Sequence, residues 1–189
     1  CYPILIDEEG GKVSRLSNLF STKEFSQFFF GNLYEKNKIN GKLIYKYYLD
    51  TICNILNDVG VNINTIPVMD LLQKSTHDVI KGRAYSNRHD TVKSLGNFCI
   101  SYLKKKKIGS VAKHVPGHGC SNQDSHLGLP KVFKKSNKLY QEDFKLFKNL
   151  GTFFMMTAHI LYKRIDSKNL TTFSDTIIKQ IIRKELNFK

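Results

Sequence analysis

The stretch that decides the fold reads Ser110-Val111-Ala112-Lys113-His114-Val115-Pro116-Gly117-His118-Gly119-Cys120-Ser121-Asn122-Gln123-Asp124-Ser125-His126-Leu127-Gly128-Leu129-Pro130. A short apolar run opens it and reads as a strand that delivers Lys113 and His114 to its end. A Pro/Gly turn follows, then a polar loop with an Asp and a His two residues apart. Loops at strand ends are where a rigid sheet or barrel places chemistry. The residue types suit such work: Lys and His donate to hydroxyls, and Asp orients an imidazole. A lone His beside a Gly is usually structural. Three His residues, a Lys and an Asp between Lys113 and His126 are harder to dismiss.

A metal site is the rival chemistry for this cluster, because His114, His118, Asp124 and His126 are all ligand types. Against it, Cys120 has no nearby Cys partner. No metal and no cofactor is expected.

Outward from this strand, the chain alternates strand and helix. Tyr2 to Ile6 is a short apolar run read as a buried strand. It runs into the polar loop Asp7-Glu8-Glu9-Gly10-Gly11-Lys12-Val13-Ser14-Arg15-Leu16. Residues 17–40 read as an irregular insertion with a helical piece. Residues 41–60 read as a helix whose inner face is Leu43, Ile44, Tyr47, Tyr48, Ile52, Ile55, Leu56 and Val59, stopped by Gly60. Val61 to Met69 reads as a second strand ending at Asp70, although Pro67 argues against a central antiparallel position. A long loop, 71–88, carries Lys81-Gly82-Arg83-Ala84-Tyr85-Ser86. Thr91 to Lys107 reads as a helix with Val92, Leu95, Phe98, Cys99, Tyr102 and Leu103 inward. Tyr140 to Leu150 reads as another, entered through the acids of Gln141-Glu142-Asp143. Thr152 to Met156 is almost continuously apolar, as in a strand buried on both faces, and Ser174 caps a last helix to Leu186. Successive strand-helix units imply parallel strands, and polar residues gather at the strands' C-terminal ends.

Composition bounds the class. The chain has 189 residues, 41% hydrophobic and 24% charged, as in one soluble globular domain spanning 1–189. No apolar run approaches a membrane span. The opening Cys1-Tyr2-Pro3-Ile4-Leu5-Ile6-Asp7 lacks the basic region and apolar length of a signal peptide, so a cytoplasmic location is expected. The four cysteines are scattered, which fits free thiols in a reducing compartment. The net charge of +14 raises nucleic acid as a partner. The lysines are spread over the whole chain, however, and the one dense run, Lys104 to Lys107, closes a helix whose dipole favours cations there. Neither nucleic acid nor membrane is expected as a partner.

The central stretch resembles the signature of family-3 glycoside hydrolases, in the NagZ-type branch of single-domain bacterial β-N-acetylhexosaminidases. That branch carries Lys-His-Phe-Pro-Gly-His-Gly and then a loop with Asp-Ser-His; here Val115 replaces the Phe. The resemblance extends to other segments. Asp7 to Val13 resembles Asp-Gln-Glu-Gly-Gly-Arg-Val, with Glu8 and Lys12 as departures. Residues 64–70 match a barrel strand ending in Asp, which implies an orienting role for Asp70. Residues 81–86 resemble Gly-Asp-Arg-Ser-Phe-Gly, where Gly82 replaces an Asp and removes an ion pair that would steady Arg83. Met156-Thr157-Ala158-His159-Ile160 resembles Met-Thr-Ala-His-Val, leaving His159 either a scaffold histidine or a contact residue.

The resemblance implies a (β/α)8 TIM barrel, present here as a partial barrel of about four strand-helix units. It implies that Asp7, Arg83, Lys113 and His114 clamp the N-acetylglucosamine ring through its hydroxyls. His126, held by Asp124, would be the general acid/base, protonating the leaving oxygen and then activating water. The family nucleophile is an Asp in a Ser-Asp-Asp segment. Phe173-Ser174-Asp175 mimics it, but Asp175 falls in the first turn of a helix, where an acid suits the dipole. The nucleophile is therefore expected beyond Lys189, and the chain reads as an internal fragment lacking the first and C-terminal units. Typical barrels need about 250 residues. Such a fragment is expected to be inactive alone and poorly stable, with strand edges uncovered. The implied substrate is an N-acetylglucosamine-terminated muropeptide of cell-wall recycling, with chito-oligosaccharides open. A truncated sugar-binding remnant and a β-N-acetylglucosaminide phosphorylase remain the alternatives.

Overall fold

The computed structural model describes residues 2–123 and 128–189. In chain order the elements are β1 (Leu5–Ile6), α1 (Gln27–Lys36), α2 (Lys38–Asp58), β2 (Ile63–Asn64), α3 (Asp78–Lys81) and α4 (His89–Lys105). There follow β3 (Gly109–Val115), β4 (Lys131–Val132), α5 (Ser136–Glu142), β5 (Phe154–Thr157) and β6 (Leu161–Tyr162). A π-helical segment, Thr176–Glu185, closes the chain.

β1, β2, β3 and β5 form one sheet in sequence order, and every pairing is parallel. Ile63 lies between Leu5 and Gly109 in register, and Lys113 pairs with Met156. Helices fill each crossover, so the polar loops after β1, β2, β3 and β5 emerge at one end of the sheet. β4 and β6 make a separate parallel pair beside it.

Several boundaries differ from the sequence expectation. The second strand is regular only over Ile63–Asn64. Pro67 brings no N–H, yet the chain stays docked: Lys113 N donates to Pro67 O at 3.1 Å and Met69 N to Lys113 O at 2.6 Å. β5 is not buried on both faces. It ends the strand order, and Phe153 and Phe154 are 68% and 47% exposed. Residues 17–40 are more helical than expected. The Ser26 hydroxyl caps α1 by accepting from Phe29 N, and the Asn37 side chain accepts from Ile39 N and Asn40 N to start α2 three residues before Gly41. Gly41 lies inside α2, where a Cβ would collide with the Tyr34 backbone of α1.

The buried stripe of α2 is Tyr45, Leu49, Ile52, Cys53 and Leu56, whereas Leu43, Ile44, Tyr47 and Val59 are exposed. The helix expected over 140–150 lies earlier, as Ser136–Glu142, and a 3-10 turn at Phe144–Phe147 follows. Phe144, Leu146 and Phe147 are all buried, a spread that the tighter winding accommodates and one α-helical face would not. Gln141 to Asp143 thus end a helix instead of starting one. The last helix is capped by Ser174 as expected, its hydroxyl accepting from Ile177 N at 3.2 Å. Among the described residues, no helix is long and apolar enough to cross a membrane, and Cys53, Cys99 and Cys120 are free thiols.

Candidate active site

The loop after β1 is folded back on itself by Gly10 and Gly11, both at positive φ (79° and 63°). Buried Glu8 holds this turn from inside. Its carboxylate accepts from Ser14 Oγ, Arg15 N, Leu16 N and Thr22 Oγ1. Asn64 of β2 fixes the Glu8 backbone with a pair of bonds of 2.9 and 3.1 Å. With the turn fixed, Asp7 and Glu9 project on either side of Glu8, toward the ends of β2 and β3.

There they meet Lys113, which is 1% exposed. Its ammonium has three donors, and all are engaged: Glu9 Oε1 at 2.6 Å, Thr65 Oγ1 at 2.8 Å and Asp7 Oδ1 at 3.1 Å. Thr65 also donates to Asp7 Oδ1. Glu9 takes Arg83 in a bidentate grip, Nε and Nη2 each at 2.8 Å, the strong planar geometry of guanidinium on carboxylate. The ion pair expected to be missing because of Gly82 is therefore supplied by Glu9, from a different loop. Burial alone would raise both carboxyls. At Asp7 the Thr65 hydroxyl and the Lys113 charge outweigh it, and at Glu9 Arg83 and Lys113 do, so both lie below the usual carboxylate range. Burial would lower the Arg83 pKa, but the Glu9 carboxylate raises it.

The second group is built on Asp70, which is fully buried at the end of the β2 run. Asp70 Oδ2 receives His114 Nδ1 at 2.6 Å, and Oδ1 receives the His118 backbone N at 2.6 Å and His114 N at 3.3 Å. Burial opposes its ionisation, but the two histidines beside it hold its pKa below normal. The other ring nitrogen of His114, Nε2, faces Arg83 Nη2 at 3.3 Å. Asp70 thus has the geometry of an orienting group. His118 packs edge-to-face on His114 with ring centroids 5.7 Å apart, and its pKa is pushed down, first by burial.

These groups open onto one cleft of about 790 Å³. Asp7, Glu9, Arg83, Lys113 and His114 line its floor, Lys12, Arg15 and His77 its rim, and Met156, Thr157 and His159 its far wall. Four of the six residues singled out in the sequence, Asp7, Arg83, Lys113 and His114, are brought together here. The other two, Asp124 and His126, lie outside the described residues. His159 is exposed and lines the cleft, with its Nδ1 2.9 Å from Thr172 Oγ1. Sequence reading gave no role to Glu9, although it sits in the quoted acidic loop, and none to Thr65, which carries no signal. Among the described residues no group of three or more His, Cys, Asp or Glu is arranged to hold a metal ion. The cleft offers a carboxylate acceptor, Asp7, whose Oδ2 has, among the described residues, only Arg15 near it at 4.0 Å. Around it stand guanidinium and imidazole groups, an arrangement suited to a polyhydroxylated ligand.

Comparison with known proteins bears on this arrangement. Residues 3–189 match the family model described as glycosyl hydrolase family 3 N terminal domain. The chain is 30% identical to beta-hexosaminidase A of Pseudoalteromonas piscicida, over 98% of this chain and 33% of that protein. It is also 30% identical to a beta-hexosaminidase of Thioalkalivibrio sulfidiphilus, over 98% of this chain and 53% of the relative. Among solved structures, NagZ from Neisseria gonorrhoeae in complex with N-trifluoroacetyl-D-glucosamine superposes with a TM-score of 0.88 at 28% identity, covering 99% of this chain and 54% of that one. A family 3 beta-N-acetylglucosaminidase from Paenibacillus superposes with a TM-score of 0.84 at 27% identity, over 98% of this chain and 35% of that one. The α/β fold is thus part of a (β/α) barrel, and the chain spans between a third and about half the length of the relatives it matches.

Proposed function

The chain belongs to glycosyl hydrolase family 3, and on that premise we propose that it forms the sugar-binding part of a retaining β-N-acetylglucosaminidase. The observation that carries the reading is the convergence of Asp7, Arg83 and His114 on one cleft, each with a second group fixing its orientation. Asp7 accepts from ring hydroxyls, Arg83 donates to them, and His114 Nε2 faces the same space. Lys113 contributes by holding Asp7 and Glu9. A beta-hexosaminidase reaction on terminal N-acetylglucosamine fits this clamp; the muropeptides of cytoplasmic cell-wall recycling are the proposed substrates.

The proposed chemistry has two displacements. A carboxylate attacks the anomeric carbon, and the glycosidic C–O bond breaks with its electron pair going to the leaving oxygen. That oxygen takes a proton from His126, oriented by Asp124. Water then attacks the same carbon, gives its proton to His126, and the carboxylate leaves. Asp7, Glu9 and Asp70 are each committed to cationic or N–H partners, so none of them is the proposed nucleophile; an Asp beyond Lys189 is.

The test is hydrolysis of 4-methylumbelliferyl N-acetyl-β-D-glucosaminide by the polypeptide extended past Lys189 in its own reading frame. Turnover is expected, and His126→Ala should reduce it at least about a hundredfold, the low end of general acid-base help. No hydrolysis by the extended protein, or full hydrolysis by the variant, contradicts the proposal. A second reading, a sugar-binding module without catalysis, is favoured by Glu9, whose two oxygens are both taken by Arg83 and Lys113 on the cleft floor. It predicts N-acetylglucosamine binding with no turnover. A 1-phosphate product appearing only with added phosphate would mark phosphorolysis instead.

A further inference from the structure

Behind the active-site turn, on the side away from the cleft, lies a carboxyl that the proposed chemistry does not use. Asp143 follows α5, and its side chain is fully buried. It packs directly under Gly117, where an added Cβ would stand 2.7 Å from the Asp143 Cβ. Among the described residues, both its oxygens face one hydrogen-bond donor, Gln73 Nε2, at 3.0 and 3.1 Å. Gln73 Oε1 in turn accepts from Lys134 Nζ at 2.9 Å. Lys134 stops 4.0 Å short of Asp143 Oδ2, because it is held by Gln73 and by Glu142. One amide therefore joins three parts of the chain: the loop carrying Arg83, the Lys134 segment after β4, and the α5 junction.

The same loop grips the active-site turn from a second direction. Thr76 Oγ1 accepts from Gln73 N at 2.7 Å and donates to Gly119 O at 2.6 Å. His77 N donates to Ser121 O at 3.1 Å. The Tyr162 hydroxyl donates to Gly117 O from below. Between these contacts sits His118, whose backbone N–H helps hold Asp70 and, through it, His114.

We propose that Asp143 is a positioning residue for turn 116–121, acting through Gln73 and Lys134, and that its charge state sets how the turn is held. A buried carboxylate with one amide partner is under-served when ionised. The nearest remedy is Lys134, which must leave Gln73 Oε1 to close its 4.0 Å gap. That exchange loosens Gln73, and with it the residues that hold Gly119 and Ser121. The groups facing Asp143 are Lys134 and Gln73, Glu142 on its own element, Asp70 and Cys120 from the turn side, and Tyr162 of β6. Burial raises its pKa first. Lys134 and Gln73 pull it down, Asp70 and Glu142 push it up, and it comes to about 7. The exchange therefore falls within the neutral range.

The test is a heteronuclear NMR titration of the protein from about pH 5.5 to 8.5, following the amides of Gly117, Gly119 and Ser121. Wild type should show a step centred near 7, separate from the ring signal of His118, whose pKa is pushed down. Asp143→Asn should abolish that step and leave the His118 ring signal's titration in place. Lys134→Met should move the midpoint upward by about one unit, the usual effect of removing a nearby opposite charge. A step that persists in Asp143→Asn, or a wild type without one, overturns the proposal. If Asp143→Asn does not fold, Lys134→Met decides it, since an unmoved midpoint is equally fatal. In the same samples, N-acetylglucosamine affinity should differ about threefold or more across the step in wild type, the low end of coupling between packed groups. It should not differ in Asp143→Asn. Only this last readout rests on the carbohydrate proposal: absent sugar binding with the amide step intact sinks that proposal and leaves the brace standing.

Discussion

Replacing Glu9 with glutamine would leave the Arg83 guanidinium and the Lys113 ammonium facing a neutral amide inside a cluster that water scarcely reaches. Glu9→Gln should therefore lose about 3 kcal/mol of stability in a denaturant titration, as when one partner of a buried pair is removed. Asp7→Asn should behave differently. Its side chain is 35% exposed, so the stability loss should be smaller, while N-acetylglucosamine binding should fall at least about tenfold, the worth of one charge-assisted bond. The acid limb follows from signs. Asp7, Glu9 and Asp70 are depressed in the fold, so their stabilisation is present above the ordinary carboxylate range and lost as pH falls through it. Asp143 runs the other way. Its pKa rises from 3.8 to about 7, so the folded state holds a proton that the unfolded chain has released, and stability declines as pH rises through that window. The decline is on the order of 4 kcal/mol, and Asp143→Asn should flatten it in chemical denaturation at pH 5 and pH 8. Asp7, Arg83, Lys113, His114 and Asp70 were legible because each sits in a recognisable motif. Glu9 and Thr65 were not given roles because their partners lie 74 and 48 positions away. Asp143 was read as a helix-start acid, since nothing local announces that its side chain turns inward.

At the scale of elements, the central strand and α4 could be read because apolar spacing and a C-terminal lysine run mark them. α1 was anticipated only as a helical piece within 17–40, and its bounds were not read because its stop and the start of α2 are one residue, Asn37, which caps a helix by its side chain and looks like any loop asparagine. Close approach also escapes sequence reading. Gly31 of α1 faces the Tyr85 carbonyl, and an added Cβ would collide with that backbone oxygen. Gly31→Ala should cost about 1–3 kcal/mol by forcing α1 away from the loop that carries Arg83. A fall in thermal midpoint with unchanged helix content checks this. Phe154 on β5 gives the opposite outcome. It is 47% exposed at the edge of the described sheet, and Phe154→Thr should stay within about 0.5 kcal/mol of wild type.

For the whole molecule, the parallel strand order follows from alternating strand and helix patterns, whereas the barrel itself came from family resemblance and superposition. The lysines behind the charge of +14 are spread along the whole chain, and the cleft floor balances Asp7 and Glu9 against Arg83 and Lys113. The central claim is that this floor recognises a terminal N-acetylglucosamine. The most direct measurement is an NMR titration of the protein with N-acetylglucosamine at constant pH. The account predicts saturable shifts at Asp7, Arg83 Nε, His114 and Thr157, lost in Asp7→Asn. Saturable shifts centred outside the cleft, or shifts unchanged in Asp7→Asn, would contradict it.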